Sequence, residues 1–143
     1  MLRAMRWPWQ KADTPAHLRT GEWGEQVAER FLTRAGFKII GRRVRFGARQ
    51  ELDLVGWHGR VLVFVEVKTR ASEEFGRGWT SVNRAKQRQL SRAAWSYLRA
   101  LKQKPEYFRF DVVEVVGQPD GPQPQVRHLE NAFQLAPEIR LPW

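Results

Sequence analysis

Apolar residues recur at helical spacing through Trp23, Val27, Ala28, Phe31, Leu32 and Ala35, which predicts a first amphipathic helix from Thr20 to about Ala35. Thr20 is a capping residue type, Glu22 suits a positive helix N-terminus, and Gly36 suits the position just past the last turn. The pattern then changes to β-branched runs. Phe37 to Arg45, Glu51 to Gly56 and Arg60 to Thr69 read as strands, and the Gly56-Trp57-His58-Gly59 link predicts an antiparallel hairpin between the last two. Arg60 to Thr69 is apolar on both faces at its start, as a central strand requires. Helical spacing returns in Val82, Ala85, Leu90, Ala93, Ala94, Tyr97, Leu98 and Leu101, predicting a second helix from Ser81 to Lys102 that Pro105 stops. Tyr107 to Val116 reads as a fourth strand, Gly117 to Pro124 as a turn-rich connector, and Val126 to Leu129 as a short fifth strand. The order αβββαββ predicts an α/β fold: a mixed sheet of about five strands flanked by two main helices.

The 143 residues suit one domain. Residues 1–18, with Trp7 and Trp9 but no period, read as an arm, 19–134 as the domain and 135–143 as a tail without periodic structure. The longest apolar run, Val61 to Val65, is far short of the ~18–20 residues of a membrane-spanning helix. The absence of cysteine excludes disulfide scaffolds, thiol catalysis and Cys-based zinc sites. Met1 to Trp9 lacks the apolar core of a secretory signal, so a cytoplasmic location is expected.

Charge narrows the partners. Lys and Arg number 25 against 15 Asp and Glu, a net charge of +10, which predicts attraction to a polyanion, first of all nucleic acid. Residues 1–50 carry 11 basic and 4 acidic side chains and residues 71–104 carry 8 and 2, whereas residues 51–70 between them carry 3 and 3. Arg42, Arg43, Arg45, Arg49, Arg70, Arg77, Arg84, Arg88 and Arg92 thus flank a charge-balanced middle and suit a phosphate-backbone track, the plainer alternative being a solvated surface. Trp57 and Trp79 either close the core or stack on bases.

That middle holds the candidate chemistry. Strand alternation puts Leu62, Phe64, Glu66 and Lys68 on one face, and a hairpin folded about residues 58 and 59 brings Asp53 level with Phe64, diagonal to Glu66. A carboxylate and an ammonium at the end of an apolar strand are costly to bury unless each is paired or binds something. Two carboxylates suit a hard divalent cation such as Mg²⁺ or Mn²⁺, which activates water and neutralises charge on a phosphate, while a lysine orients either. Asp53 followed by Glu66-x-Lys68 therefore fits metal-assisted phosphodiester hydrolysis, with a structural ion-pair cluster as the alternative. Glu25, at the border of the first helix's apolar stripe, and Lys86, on that of the second, extend toward the same sheet or simply cover apolar surface with their stems. Of the two lysines, Lys68 is expected to serve the chemistry and Lys86 the substrate phosphate. His17, His58 and His128 lack metal-ligand spacing, no serine sits in a Gly-x-Ser-x-Gly context, Gly76-Arg77-Gly78 is too short for a nucleotide loop, and Asp111 reads as a structural acid.

The chain resembles the YraN family from about residue 20 to 133. The resemblance rests on Gly21-x-x-Gly24-Glu25-x-x-Ala28, Glu51-Leu52-Asp53-Leu54-Val55, Leu62-Val63-Phe64-Val65-Glu66-Val67-Lys68-x-Arg70, Lys86-x-x-x-Leu90, Arg109-Phe110-Asp111-Val112-Val113 and His128-Leu129-x-Asn131-Ala132-Phe133. Gln50 departs from it, standing where the family usually has glycine. The resemblance implies a restriction-endonuclease-like core of the PD-(D/E)xK type, related to archaeal Holliday-junction resolvases. Carried over, Asp53, Glu66 and Lys68 match the catalytic motif, with Asp53 and Glu66 as metal ligands, and Glu25 matches the helix-one glutamate. DNA as partner and a homodimer that cuts two strands are further implications, and a noncatalytic nucleic-acid-binding or assembly module on the same fold is the alternative.

Overall fold

The computed structural model describes residues 16–72, 82–141 and 143, with side chains from Arg19 onward. Helix α1 spans Ala16–Arg34, β1 Lys38–Arg45, β2 Glu51–His58, β3 Val61–Arg70, α2 Arg84–Ala100, β4 Tyr107–Val116 and β5 Gln125–Phe133. The strands form one sheet in the order β1-β2-β3-β4-β5. All neighbours are antiparallel except β3 and β4, and that parallel pair needs the crossover in which α2 lies.

The two helices cover opposite faces. Val63 and Val65 of β3 with Val113 and Val115 of β4 meet Val27, Ala28 and Leu32 of α1. Leu62 and Phe64 with Phe110 and Val112 meet Leu90, Ala93, Ala94 and Leu98 of α2. The double-sided apolar character of β3 is therefore the sequence of a strand buried between two layers.

Element ends show where local signals were overruled. Helix α1 begins at Ala16, so Thr20 and Glu22 lie inside it and the helix reaches into the segment assigned to the arm. Its C-terminus ends as the glycine predicts: Gly36 has φ 95°, Phe37 N–H donates to Leu32 O at 3.0 Å and Gly36 N–H to Thr33 O at 3.1 Å. Helix α2 is capped by Asn83, whose Oδ1 accepts Lys86 N–H at 2.8 Å, and this leaves Ala85 exposed on the first turn. Strand β5 runs on past Leu129 to Phe133, with a register shift at Phe110/Val112 that accommodates Asn131 at φ 52°. Residues 134–141 contain no helix or strand, yet Ala136 is buried and its N–H donates to Ser91 Oγ of α2 at 3.0 Å.

The hairpin differs in a way that matters to the site. Gly56, Trp57 and His58 belong to β2, and the turn is Gly59-Arg60 with Gly59 at φ 61°. Val55, not Asp53, consequently faces Phe64, and Asp53 lies one step beyond the last pair, Leu54↔Val65. The correct register therefore puts Asp53 level with Glu66 rather than diagonal to it, because the residue with positive φ fixes where the chain reverses. The arm residues 1–15, Gly76-Arg77-Gly78 and Trp79 lie outside the described residues, as does the His17 side chain. Among the described residues, no helix is long and apolar enough to cross a membrane.

Candidate active site

Strands β2 and β3 part after Leu54↔Val65, whereas β3 stays paired with β4 as far as Arg70↔Val116. Asp53 sits at this fork, and its Oδ2 accepts the Val67 N–H at 2.9 Å, so a carboxylate takes the place of a ladder carbonyl. Leu52 and Val55 both join the α2-side core, which strict alternation forbids for residues three apart; the alternation breaks at Asp53. On the other side Arg43 lies between the pairs Arg42↔Leu54 and Val44↔Leu52, level with Asp53, and adopts φ 43°. A positive φ at a residue with a Cβ stores local strain. Here it coincides with a guanidinium delivered to the Glu25 carboxylate of α1, Arg43 Nε to Oε2 at 2.8 Å.

Glu66 projects from β3 on the α2 face with only 11% of its side chain exposed, and Lys86 Nζ lies 3.6 Å from its Oε1. Its Oε2 is buried and finds no hydrogen-bond partner among the described residues. Burial pushes the Glu66 carboxyl above the usual carboxylate range, the Asp53 charge raises it further, and Lys86 offsets part of the rise. Burial likewise raises Asp53, against the Val67 N–H and Lys86. Glu25 is pushed up to about 7, again by burial first, with the Arg43 hydrogen bond opposing and the Asp53 charge adding. Asp53 and Glu66 thus crowd one buried spot, where their simultaneous ionisation calls for a cation, while Glu25 approaches Asp53 from α1 with Arg43 as its partner.

The residues present fit a divalent ion. The Glu66 carboxyl lies within hydrogen-bonding reach of Asp53, an approach that two ionised carboxylates sustain only with a proton or a cation between them, and its Oε2, buried without a donor, is a hard oxygen of the type that Mg²⁺ and Mn²⁺ prefer. Among the described residues no group of three or more His, Asp or Glu is arranged to hold a metal ion, so the two carboxylates Asp53 and Glu66 are what the site offers a cation. Lys68 shares the Glu66 face; burial lowers its pKa, and neighbouring Arg70 lowers it further.

The remaining candidates divide. Lys86, expected to reach for phosphate with no strand neighbour to fix it, instead pairs with Glu66 inside the site. Arg42 is hydrogen-bonded to Glu29, Arg43 to Glu25 and Arg45 to Glu51 at 3.1 Å, while Arg70 Nε lies 3.6 Å from Glu114 Oε1 and Arg88 Nε 3.9 Å from Glu138 Oε1. Arg84 is exposed, as are Arg49 and Arg92, and Arg77 is outside the described residues. The basic track is therefore partly built into acid pairs, with Arg42 and Arg43 bracing α1 against β1. Asp111 is structural, fully buried and satisfied by Arg109 Nε at 2.9 Å, His128 Nε2 at 2.8 Å and Asn131 N–H at 3.0 Å. Burial alone would raise its pKa, but these partners hold it below the usual range. His58 stacks on Phe37 with centroids 4.2 Å apart and meets Arg109 at 3.1 Å, so it too is committed to packing.

Two residues were missed or undervalued in the sequence. Glu114 is 2% exposed on β4, directly across from Lys68; the readable signal is one acid inside Val112-Val113-Glu114-Val115-Val116. Gln50, the departure from the family pattern, accepts a hydrogen bond from Ser96 Oγ of α2 at 3.2 Å, so its side chain ties the entry of β2 to that helix.

Gly24 explains how Glu25 arrives. A Cβ at Gly24 would lie 2.0 Å from Thr69 Oγ1, so the lack of a side chain lets α1 touch β3 beside the acids. Gly24→Ala is expected to destabilise the protein by about 1–3 kcal/mol, the usual cost of overpacking, with part of the loss recovered in a Thr69→Ala background. Chemical denaturation of the single and double variants measures both.

The raised carboxyls also set a pH dependence. A group whose folded pKa exceeds its unfolded value binds more protons in the folded state, so stability falls as pH rises through the window between the two. For Glu25 that window runs from the ordinary carboxylate range to about 7, and Glu66 and Asp53 act in the same direction. In chelator, the melting temperature is expected to decline across this window, less so in Glu66→Gln and less so with Mg²⁺ present; a decline unchanged in Glu66→Gln contradicts the assignment.

Fold and site together define an α/β protein whose five-stranded mixed sheet forks to present two acids and a lysine. The chain belongs to the family described as uncharacterised protein family UPF0102, whose model matches residues 24–115. A UPF0102 protein of Symbiobacterium thermophilum is 50% identical over 115 residues, covering 80% of this chain and 96% of the relative. One of Koribacter versatilis is 39% identical over 127 residues, 88% and 87% of the two chains. A third, of Rhodococcus opacus, is 42% identical over 120 residues, 82% and 98%.

Proposed function

We propose that this protein is a divalent-metal-dependent nuclease of the PD-(D/E)xK type that hydrolyses phosphodiester bonds in DNA, branched DNA in particular. The observation that carries the reading is the closeness of the Asp53 and Glu66 carboxyls at the fork between β2 and β3, with Asp53 held by the Val67 N–H and Glu66 Oε2 buried without a donor among the described residues. Asp53 and Glu66 would hold the ion, which when bound supplies Lewis acidity and an activated water. Glu66 is held ready by Lys86, which favours its ionised form, and Asp53 by the Val67 N–H. Lys68, on the Glu66 face, donates to the water or to the phosphate oxygen that gains charge. Glu25, with Arg43 as its fixed donor, closes the side of the site nearest α1. The net charge of +10 favours association dominated by phosphate contacts with little sequence preference and a steep salt dependence.

A panel of four-way junctions, flaps, single strands and linear duplexes, incubated with Mg²⁺ or Mn²⁺ and with chelator, tests this reading. Metal-dependent cleavage of branched substrates ahead of linear duplex is the expected result. Tight, salt-sensitive binding with no cleavage of any member in either metal would instead support a noncatalytic binding module. The resemblance to resolvases further implies two copies acting on two strands, and light scattering with and without a junction reads the mass that this requires.

A further inference from the structure

We infer that Glu114 is a positioning residue for substrate contact: its ion pair restrains the Arg70 guanidinium beside Lys68, so that the strand end beyond the carboxylates presents a cationic pair to a nucleic-acid phosphate. The inference rests on the nucleic-acid reading above and adds to it a residue and a role. Glu114 lies in the buried run of β4, is 2% exposed, and stands directly across from Lys68 in the parallel register. Arg70 comes from the same face of β3, two residues on, and its Nε is 3.6 Å from Glu114 Oε1. The Arg70 backbone is itself anchored, its carbonyl accepting Gly117 N–H at 2.8 Å. The Arg70 side chain retains 27% exposure, so the ion pair with Glu114 leaves it partly accessible.

A purely structural role accounts poorly for this acid. Buried ion pairs contribute little net stability compared with apolar packing, and Glu114 is only partly compensated, by the charges of Arg70 and Lys68, its Oε2 having no hydrogen-bond partner among the described residues. Valines flank it on both sides in the strand, so an apolar residue would continue the pattern. What an apolar residue would not do is draw a guanidinium toward one place on the strand end. A planar fork restrained in advance loses less conformational freedom when it meets a phosphate, which is how an acid that repels DNA can strengthen DNA binding through its partner.

That sign is the test. By charge alone, Glu114→Gln removes an anion from a DNA-binding face and tightens binding; by positioning, it weakens binding. Fluorescence anisotropy with a labelled four-way junction at fixed salt is expected to show Kd rising about fivefold or more in Glu114→Gln, a coupling of ordinary size for residues in contact. Arg70→Ala is expected to show a similar rise, and the double variant no more than Arg70→Ala alone. Glu114→Asp keeps the carboxylate and recovers part of the affinity, which distinguishes loss of the anion from misfolding, as does an unchanged circular dichroism spectrum. Binding in Glu114→Gln as tight as wild type or tighter, or losses that multiply in the double variant, overturns the inference. If wild type itself binds no junction in a salt-dependent manner, the nucleic-acid reading fails and this assignment fails with it, an outcome separate from a wild type that binds and a Glu114→Gln that binds better.

Discussion

Glu66→Gln is expected to lower single-turnover cleavage at saturating DNA by at least ~10²-fold, to the background of the uncatalysed reaction if the ion is lost altogether. The amide keeps the volume and the partial burial of the side chain but removes the charge that a hard cation needs. It also leaves Lys86, which lies 3.6 Å from Glu66 Oε1, facing a neutral group. DNA binding should persist or improve, because an anion has been taken from the face proposed to meet phosphate. A variant that still cleaves within a few-fold of wild type in Mg²⁺ would remove Glu66 from the chemistry.

Lys68→Ala and Lys86→Ala are expected to fail differently, and the difference reports on what each ammonium touches. Lys68 shares the strand face with Glu66, so its loss leaves both carboxylates but takes away the donor to water or phosphate; the plateau rate should fall by ~10²-fold with metal binding retained. Lys86 acts on Glu66, favouring its charged form against burial. Without it Glu66 deprotonates at higher pH, so the pH–rate profile should move to higher pH while much of the plateau is recovered at the alkaline end. The opposite shift, or an equal fall in plateau for both variants at every pH, contradicts this division.

Much of this arrangement was legible in the sequence, and the exceptions share a cause. Period-two alternation placed Glu66 and Lys68 on one face because β3 is regular and buried on both sides, where only one register satisfies the core. The spacing of Val27, Ala28 and Leu32 placed α1 for the same reason, and Gly36 ended it through a local backbone requirement. The hairpin register differs from the expectation because glycines stand at both ends of Gly56-Trp57-His58-Gly59, and only the folded chain shows that Gly59 is the one at positive φ. The break at Asp53 opposite a strained Arg43 has no local signature, since it arises from the parting of two strands. The pairings of Lys86 with Glu66, Arg43 with Glu25 and Arg70 with Glu114 join residues distant along the chain or on separate elements. Composition therefore signalled a cationic surface without showing that several of its arginines brace the fold. Glu114 was visible as a lone acid among valines, but its place across from Lys68 follows only from the parallel pairing of β3 and β4.

Isothermal titration calorimetry of Mg²⁺ and Mn²⁺ into the metal-free protein, wild type against Asp53→Asn, bears most directly on the claim that the fork between β2 and β3 is a metal centre. The expected result is a saturable heat in wild type that strengthens as pH rises through the window in which the buried carboxyls lose their protons, and that is absent in Asp53→Asn although the variant stays folded. A wild type that takes up neither ion at any pH in that window, or an Asp53→Asn that binds as well as wild type, would contradict it.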